Sequence, residues 1–177
     1  LAVDPGYVCG LVQDGTGSFT RPKQNVFIET RGGSVDWLEV GGLTTQIGAF
    51  SGSTLGFTGT VSGQGVDTYI LSNLVARLTA IFNAAGVDVV ISTDPNAFEF
   101  QDFSTVFLAS TNDPIRFFNE RNFGATERSD PFNADRNDEA VVFVPSFGTL
   151  GFTPSINDVN DFVDSLTGAV ARRIGEL

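Results

Sequence analysis

The chain has 177 residues, with 10 Lys+Arg against 21 Asp+Glu for a formal net charge of −11, one Cys, and neither His nor Met. Without His there is no Ser-His-Asp triad, no Cys-His pair and no His-ligated zinc. A single Cys allows no intrachain disulfide and no zinc ribbon, and the negative balance argues against nucleic acid and anionic membranes as partners. A hydrophobic fraction of 41% is enough to build a core, and the length suits one domain. No apolar run approaches the ~20 residues of a membrane span, so no membrane insertion is expected. A single Lys (Lys23) and a single Cys (Cys9) in an acidic chain fit a secreted or cell-surface bacterial protein. The chain opens on Leu1, which reads as a processed protein or a piece of a longer one.

Residues 1–24 carry several Gly and Pro and read as an N-terminal arm or edge strand ahead of one domain over 25–177. The first third of the chain holds most of its glycines, with many Thr and Ser. Its short apolar runs at 25–30 (NVFIET), 35–40 (VDWLEV), 44–50 and 54–61 are separated by the Gly-rich turns 31–34 and 41–42. That spacing predicts an antiparallel, Gly/Thr-rich β segment, because Gly supplies the positive φ of tight hairpins.

The spacing of Ile70, Leu71, Leu74, Val75, Leu78, Ile81 and Phe82 predicts a helix over 67–85, with Asp67 as N-cap and Gly86 as terminator. A buried strand follows at 87–93 and another at 104–109. Residues 110–139 read as a polar loop, 140–144 (AVVFV) as a short strand, and 145–155 as a Gly/Pro/Phe loop. A second helix, capped by Asn157 or Asp158, carries Val159, Phe162, Val163, Leu166, Val170, Ile174 and Leu177 on one stripe. The fold class is therefore α/β (α+β): a twisted mixed β-sheet with two main helices.

The last helix ends Gly168-Ala-Val-Ala-Arg172-Arg173-Ile174-Gly175-Glu176-Leu177. This resembles the active-site helix of metzincin-type zinc metallopeptidases, H-E-x-G-H-x-L. The passage from Gly124-Ala125-Thr126-Glu127 through Asp130, Asn133 and Asp138 to Ala140-Val141-Val142-Phe143-Val144 is similar to the stretch that precedes that helix in secreted bacterial members. The layout of strand, helix, strand, edge strand, strand and zinc helix is similar too, and the resemblance covers 25–177.

The resemblance implies a metzincin-like fold and places Arg172 at the first zinc-His position, Arg173 at the general-base Glu and Glu176 at the second His. Arg is protonated and offers no lone pair, so these positions repel a divalent cation where the family binds one. Glu176 alone does not make a site. The family's third ligand and methionine turn lie beyond this helix, and the chain has no His or Met to supply them. Read from spacing alone, Arg172 and Glu176 stand at i and i+4 and pair, either as an ordinary surface ion pair or as a pair filling the vacated zinc cleft.

Other constellations are weaker. Asp130, Asn133, Asp135 and Asn137 place oxygens as in calcium loops, but counted from Asn133 the sixth position is Asp138 rather than Gly and the twelfth is Val144 rather than Glu. A solvated polar loop is the competing reading. Asp161 with Asp164, and Glu99 with Asp102, read as solvated carboxylates rather than acid/base pairs. Gly63-Gln64-Gly65 lacks the third Gly of a phosphate cradle. Cys9 is either an ordinary buried residue or a free thiol. Most of the 17 Phe lie between 98 and 152, and either pack back on the sheet or form an aromatic contact surface. The expected function is a catalytically inactive, secreted peptidase-like domain with no cofactor, binding a protein partner or self-assembling. The rivals are the N-terminal part of a zinc endopeptidase and an adhesive or carbohydrate-binding surface module.

Overall fold

In the computed structural model, residues 12–13, 19–20, 23–37, 43–99, 101–111, 123–126, 137–152 and 155–177 are described. Its elements run β1 (Val12–Gln13), β2 (Phe19–Thr20), β3 (Gln24–Glu29), β4 (Gly33–Trp37), β5 (Leu43–Ile47), β6 (Thr60–Val61), β7 (Gln64–Gly65), α1 (Val66–Ala84), β8 (Val89–Ser92), β9 (Ser104–Ala109), β10 (Gly124–Thr126), β11 (Glu139–Phe143) and α2 (Ile156–Ile174). Short 3-10 segments occupy Gly52–Leu55 and Val144–Leu150.

Five strands form the main sheet in the order β10-β11-β9-β3-β8. β3, β8, β9 and β11 are parallel, and β10 alone runs antiparallel, Gly124 opposite Val142 and Thr126 opposite Ala140. Parallel neighbours require a crossover, and α1 supplies the one from β3 to β8. The antiparallel reading of the first third is thus corrected at its centre. The pairs β1–β2, β4–β5 and β6–β7 are antiparallel, but β3 belongs to the parallel sheet.

Side chains alternate across this sheet. Val26, Ile28, Val106, Leu108, Ala140 and Val142 face one way and share a core with Leu74, Leu78, Phe162, Leu166 and Val170 of the two helices. Phe107, Ala109, Val141 and Phe143 face the other way, against Val35 and Ile47 of the β4–β5 hairpin. Because both faces are covered, β9 and β11 read as nearly continuous apolar runs. The sheet's edge position corrects one expectation: in β8 only Val89 is buried, the rest half-buried.

The helix stripes differ in quality. On α2, Val159, Phe162, Val163, Leu166, Val170 and Ile174 are all buried, as is Leu177 beyond its last turn. On α1, Ile70, Leu74 and Leu78 are fully buried, but Ile81 is 45% exposed. It lies on the same stripe in a last turn where Asn83 and Ala84 are also exposed; the stripe outruns the surface that covers it.

The helix ends correct two expectations. α1 starts at Val66 behind Gly65, which has no side chain to cap with, and Asp67 is turned to another task. α2 is capped by Ser155, whose Oγ accepts the Asp158 N–H at 3.2 Å, rather than by Asn157 or Asp158. Gly86 behaves as expected: its φ is +70°, its N–H donates to the Asn83 carbonyl, and the Val87 N–H donates to the Phe82 carbonyl, a Schellman ending.

The strand expected at 54–61 is instead a 3-10 turn over Gly52–Leu55 and a two-residue strand at Thr60–Val61. Gly56 and Gly59, with φ near +86° and +82°, break the extended run. Likewise 145–155 is not a plain loop, because Val144–Leu150 winds into 3-10 turns. No described helix is long and apolar enough to cross a membrane.

Candidate functional site

The charged end of α2 lies beside the antiparallel edge strand β10. Arg172 Nε donates to Glu176 Oε1 at 3.0 Å, Arg173 Nη1 donates to Glu176 Oε2 at 2.5 Å, and the Thr126 hydroxyl of β10 lies 3.4 Å from the same Oε2. One carboxylate thus gathers two guanidiniums from its own helix and one hydroxyl from the sheet. The helix makes this possible by continuing its hydrogen bonding past Ile174: the Glu176 and Leu177 N–H groups both donate to the Arg173 carbonyl.

The two arginines are unlike. The Arg172 side chain is 73% exposed and that of Arg173 only 13%. The Arg172–Glu176 contact is the i, i+4 pair that spacing predicts. The burial of Arg173 is not foreseen. Its signal is positional: Leu166, Val170, Arg173 and Leu177 fall on one flank of the apolar stripe. Burial lowers the Arg173 pKa, the Glu176 charge opposes that, and the like charge of Arg172 adds to it.

These three positions do not fit a zinc ion. Two are guanidiniums with no lone pair, and the third is a carboxylate already engaged by both. Among the described residues, no group of three or more His, Cys, Asp or Glu side chains is placed to hold a metal. Of the calcium candidates, Asp130, Asn133 and Asp135 lie outside the described residues, as does Cys9. Asn137 is exposed, one residue before the buried Asp138.

A second charged group is not anticipated from the sequence. Glu29 ends β3 almost buried, at 7% exposure. Its carboxylate takes the Arg31 backbone N–H at 2.6 Å, Nε at 3.0 Å and Nη2 at 2.6 Å. Burial raises the Glu29 pKa, but the hydrogen bonds and charge of Arg31 outweigh it and leave the group below its ordinary value. The Arg31 guanidinium also sits 5.8 Å from the Phe27 ring centre, within cation–π range.

The remaining constellations resolve into structure. Asp164 is not simply solvated: it pairs with Arg77 of α1 and ties the two helices, while Asp161 is exposed. Glu99 and Asp102 are both exposed, and Asp102 contributes its backbone carbonyl to Asn25 Nδ2 at 3.1 Å. Gly63-Gln64-Gly65 belongs to the β6–β7 hairpin, whose turn residues Ser62 and Gly63 have φ of +51° and +80°, the signs a tight primed turn needs.

Phe27, Phe57, Phe98, Phe147 and Phe162 are buried, and Phe103, Phe123 and Phe152 half-buried. Phe162 has Phe57 and Phe147 at 5.5 Å and Phe152 at 5.8 Å between ring centres. Phe103 bridges Phe27 and Phe98, each at 5.9 Å. Phe100, Phe117, Phe118 and Phe132 lie outside the described residues. Compared with known protein families, curated proteins and solved structures, the chain matches none.

Proposed function

We propose that this chain is a catalytically inactive peptidase-like domain, secreted by a bacterium, that binds a protein partner or assembles with copies of itself. The observation that carries the reading is the paired end of α2. Where the metzincin-like helix has two zinc ligands and a general base, Arg172, Arg173 and Glu176 satisfy one another. A cation brought there would meet two positive charges at a carboxylate already in use, so a metal-bound hydroxide has nothing to hold it.

Two further observations support the reading. Along the main sheet and helices the order is β3, α1, β8, β9, the antiparallel edge strand β10, β11 and α2, with the hairpins β4–β5 and β6–β7 inserted before α1; this is similar to the layout of the resemblance, with one more strand between the helices. The two charged groups described above are closed ion pairs rather than open acid/base pairs. Burial in pairs of this kind serves structure better than proton transfer, which needs a group within reach of a substrate.

Metal analysis of the purified protein, a casein-cleavage assay and sedimentation at several concentrations test the proposal together. The expected results are zinc well below one equivalent, no cleavage, and self-association or a complex with a co-secreted protein. Stoichiometric zinc with cleavage would establish the endopeptidase reading instead. A strictly monomeric protein that binds only glycans on an array would establish the adhesive one.

A further inference from the structure

We infer that Arg173 is an internal cation that clamps the last turn of α2 onto the edge strand β10, and that this fixed charge, rather than a bound metal, holds that end of the domain together. The inference stands on the placement of Arg173 and is independent of the binding role proposed above.

The strand needs such a fastening. Among the described residues β10 has three residues and one strand partner, β11, and a strand that short makes few ladder bonds of its own. Two contacts join it to the helix end. At Gly124, a Cβ would stand 3.3 Å from Arg173 Nε and 2.5 Å from the Val141 carbonyl oxygen. Arg173 Nε therefore lies close to the strand backbone at Gly124, where the Val141 carbonyl leaves no room for a Cβ. At Thr126, the hydroxyl reaches the Glu176 carboxylate that the same guanidinium holds.

The Arg173 side chain is 13% exposed and that of Glu176 26%, so the pair is half-buried, and removing one partner leaves the other charge partly desolvated and unpaired. Arg172 shares Glu176 but is exposed, and an exposed pair contributes little. The three positions therefore have unequal roles: Glu176 and Arg173 fasten the strand, and Arg172 is dispensable.

The test is amide hydrogen exchange of β10 in the intact chain, with thermal melts in chelator and in added zinc. We expect E176Q and R173Q to speed exchange at Ala125 and Thr126 by about tenfold or more, and R172Q by less than about twofold. Equal effects of R172Q and R173Q, or unchanged exchange in both E176Q and R173Q, would overturn the clamp. A readout in the unaltered protein keeps the question open to test if the variants do not fold. In an arginine Nε–H NMR spectrum, Arg173 should be immobilised and protected from exchange while Arg172 is averaged. A freely averaging Arg173 overturns the inference. So does a melting midpoint that falls on chelation, since a metal would then be doing the fastening.

Discussion

The Asp67 carboxylate accepts the backbone N–H of Gly52 at 2.7 Å, joining the first turn of α1 to a 3-10 turn that precedes it in the chain by 15 residues. The Ser51 hydroxyl approaches its second oxygen at 3.4 Å. A residue placed to cap its own helix instead caps a neighbouring segment. Replacing it with Ala leaves the buried Gly52 N–H without an acceptor, which costs about 1–3 kcal/mol. Asp67→Asn keeps an acceptor oxygen and should lose less than half of that. Urea unfolding of both variants, with the exposed Asp161→Ala as a control expected within about 0.5 kcal/mol, checks the assignment.

Phe162 is fully buried and meets three other rings. Phe162→Ala should destabilise the chain by about 3–5 kcal/mol, because the cavity lies between α2 and the 3-10 segments and rigid neighbours refill little of it. Leu150→Ala, at a residue 49% exposed, should change stability by less than about 0.5 kcal/mol. Comparable losses at both positions would show that Phe162 is not central to the core.

Two glycines should respond with opposite signs. Gly168 lies inside α2 with open space where a Cβ would go and no positive φ, so Gly168→Ala should stabilise by about 0.5–1 kcal/mol. Gly32 has φ +85°, and a Cβ there would sit 2.5 Å from the Ile47 carbonyl oxygen. Gly32→Ala should therefore lower the melting temperature, through backbone strain and a clash that cannot relax without moving β5.

Glu29 gives the chain a specific acid sensitivity. Its folded pKa lies below the ordinary value of 4.5 because Arg31 outweighs burial. A depressed carboxylate pKa contributes stability that is present above the unfolded pKa and lost as pH falls through the folded one. In Arg31→Gln the guanidinium's hydrogen bonds and charge are lost while burial and the backbone N–H donors of residues 30 and 31 remain, so the folded pKa should rise from its depressed value. The stability that Glu29 contributes above the unfolded pKa should then shrink, and less of it should be lost as pH falls. Melts of both proteins from pH 3 to pH 7 read the difference; parallel curves would rule out the role assigned to Arg31.

The legibility of the fold varied with the kind of signal. α2 was readable almost residue by residue, since its apolar stripe packs as spaced. Gly86 was readable because a positive φ after a helix leaves a chemical mark. The strands at 104–109 and 139–143 were readable as apolar runs, yet their parallel pairing was not, since local pattern is blind to which strand lies alongside. The run at 54–61 misled because its apolar residues, Leu55, Phe57 and Val61, are pulled into the core by turns at Gly56 and Gly59 rather than by a strand. At the candidate site, the Arg172–Glu176 pair follows from helix geometry, whereas Thr126 and Gly124 come from a strand about 50 positions away.

The sequence by itself determined which donor groups stand at the end of α2. The chain has no His anywhere and ends α2 with two arginines and one glutamate, and the donor capacity of those side chains is a property of composition that needs no fold. It also determined where two helices and the apolar strands lie, because periodicity is local. Tertiary structure alone decided what those groups meet. Whether Arg173 points to water or lies close to Gly124, and whether Asp67 caps its own helix or reaches Gly52, depends on which surface stands opposite. A buried charge acquires its meaning from neighbours that the chain brings together only when it folds.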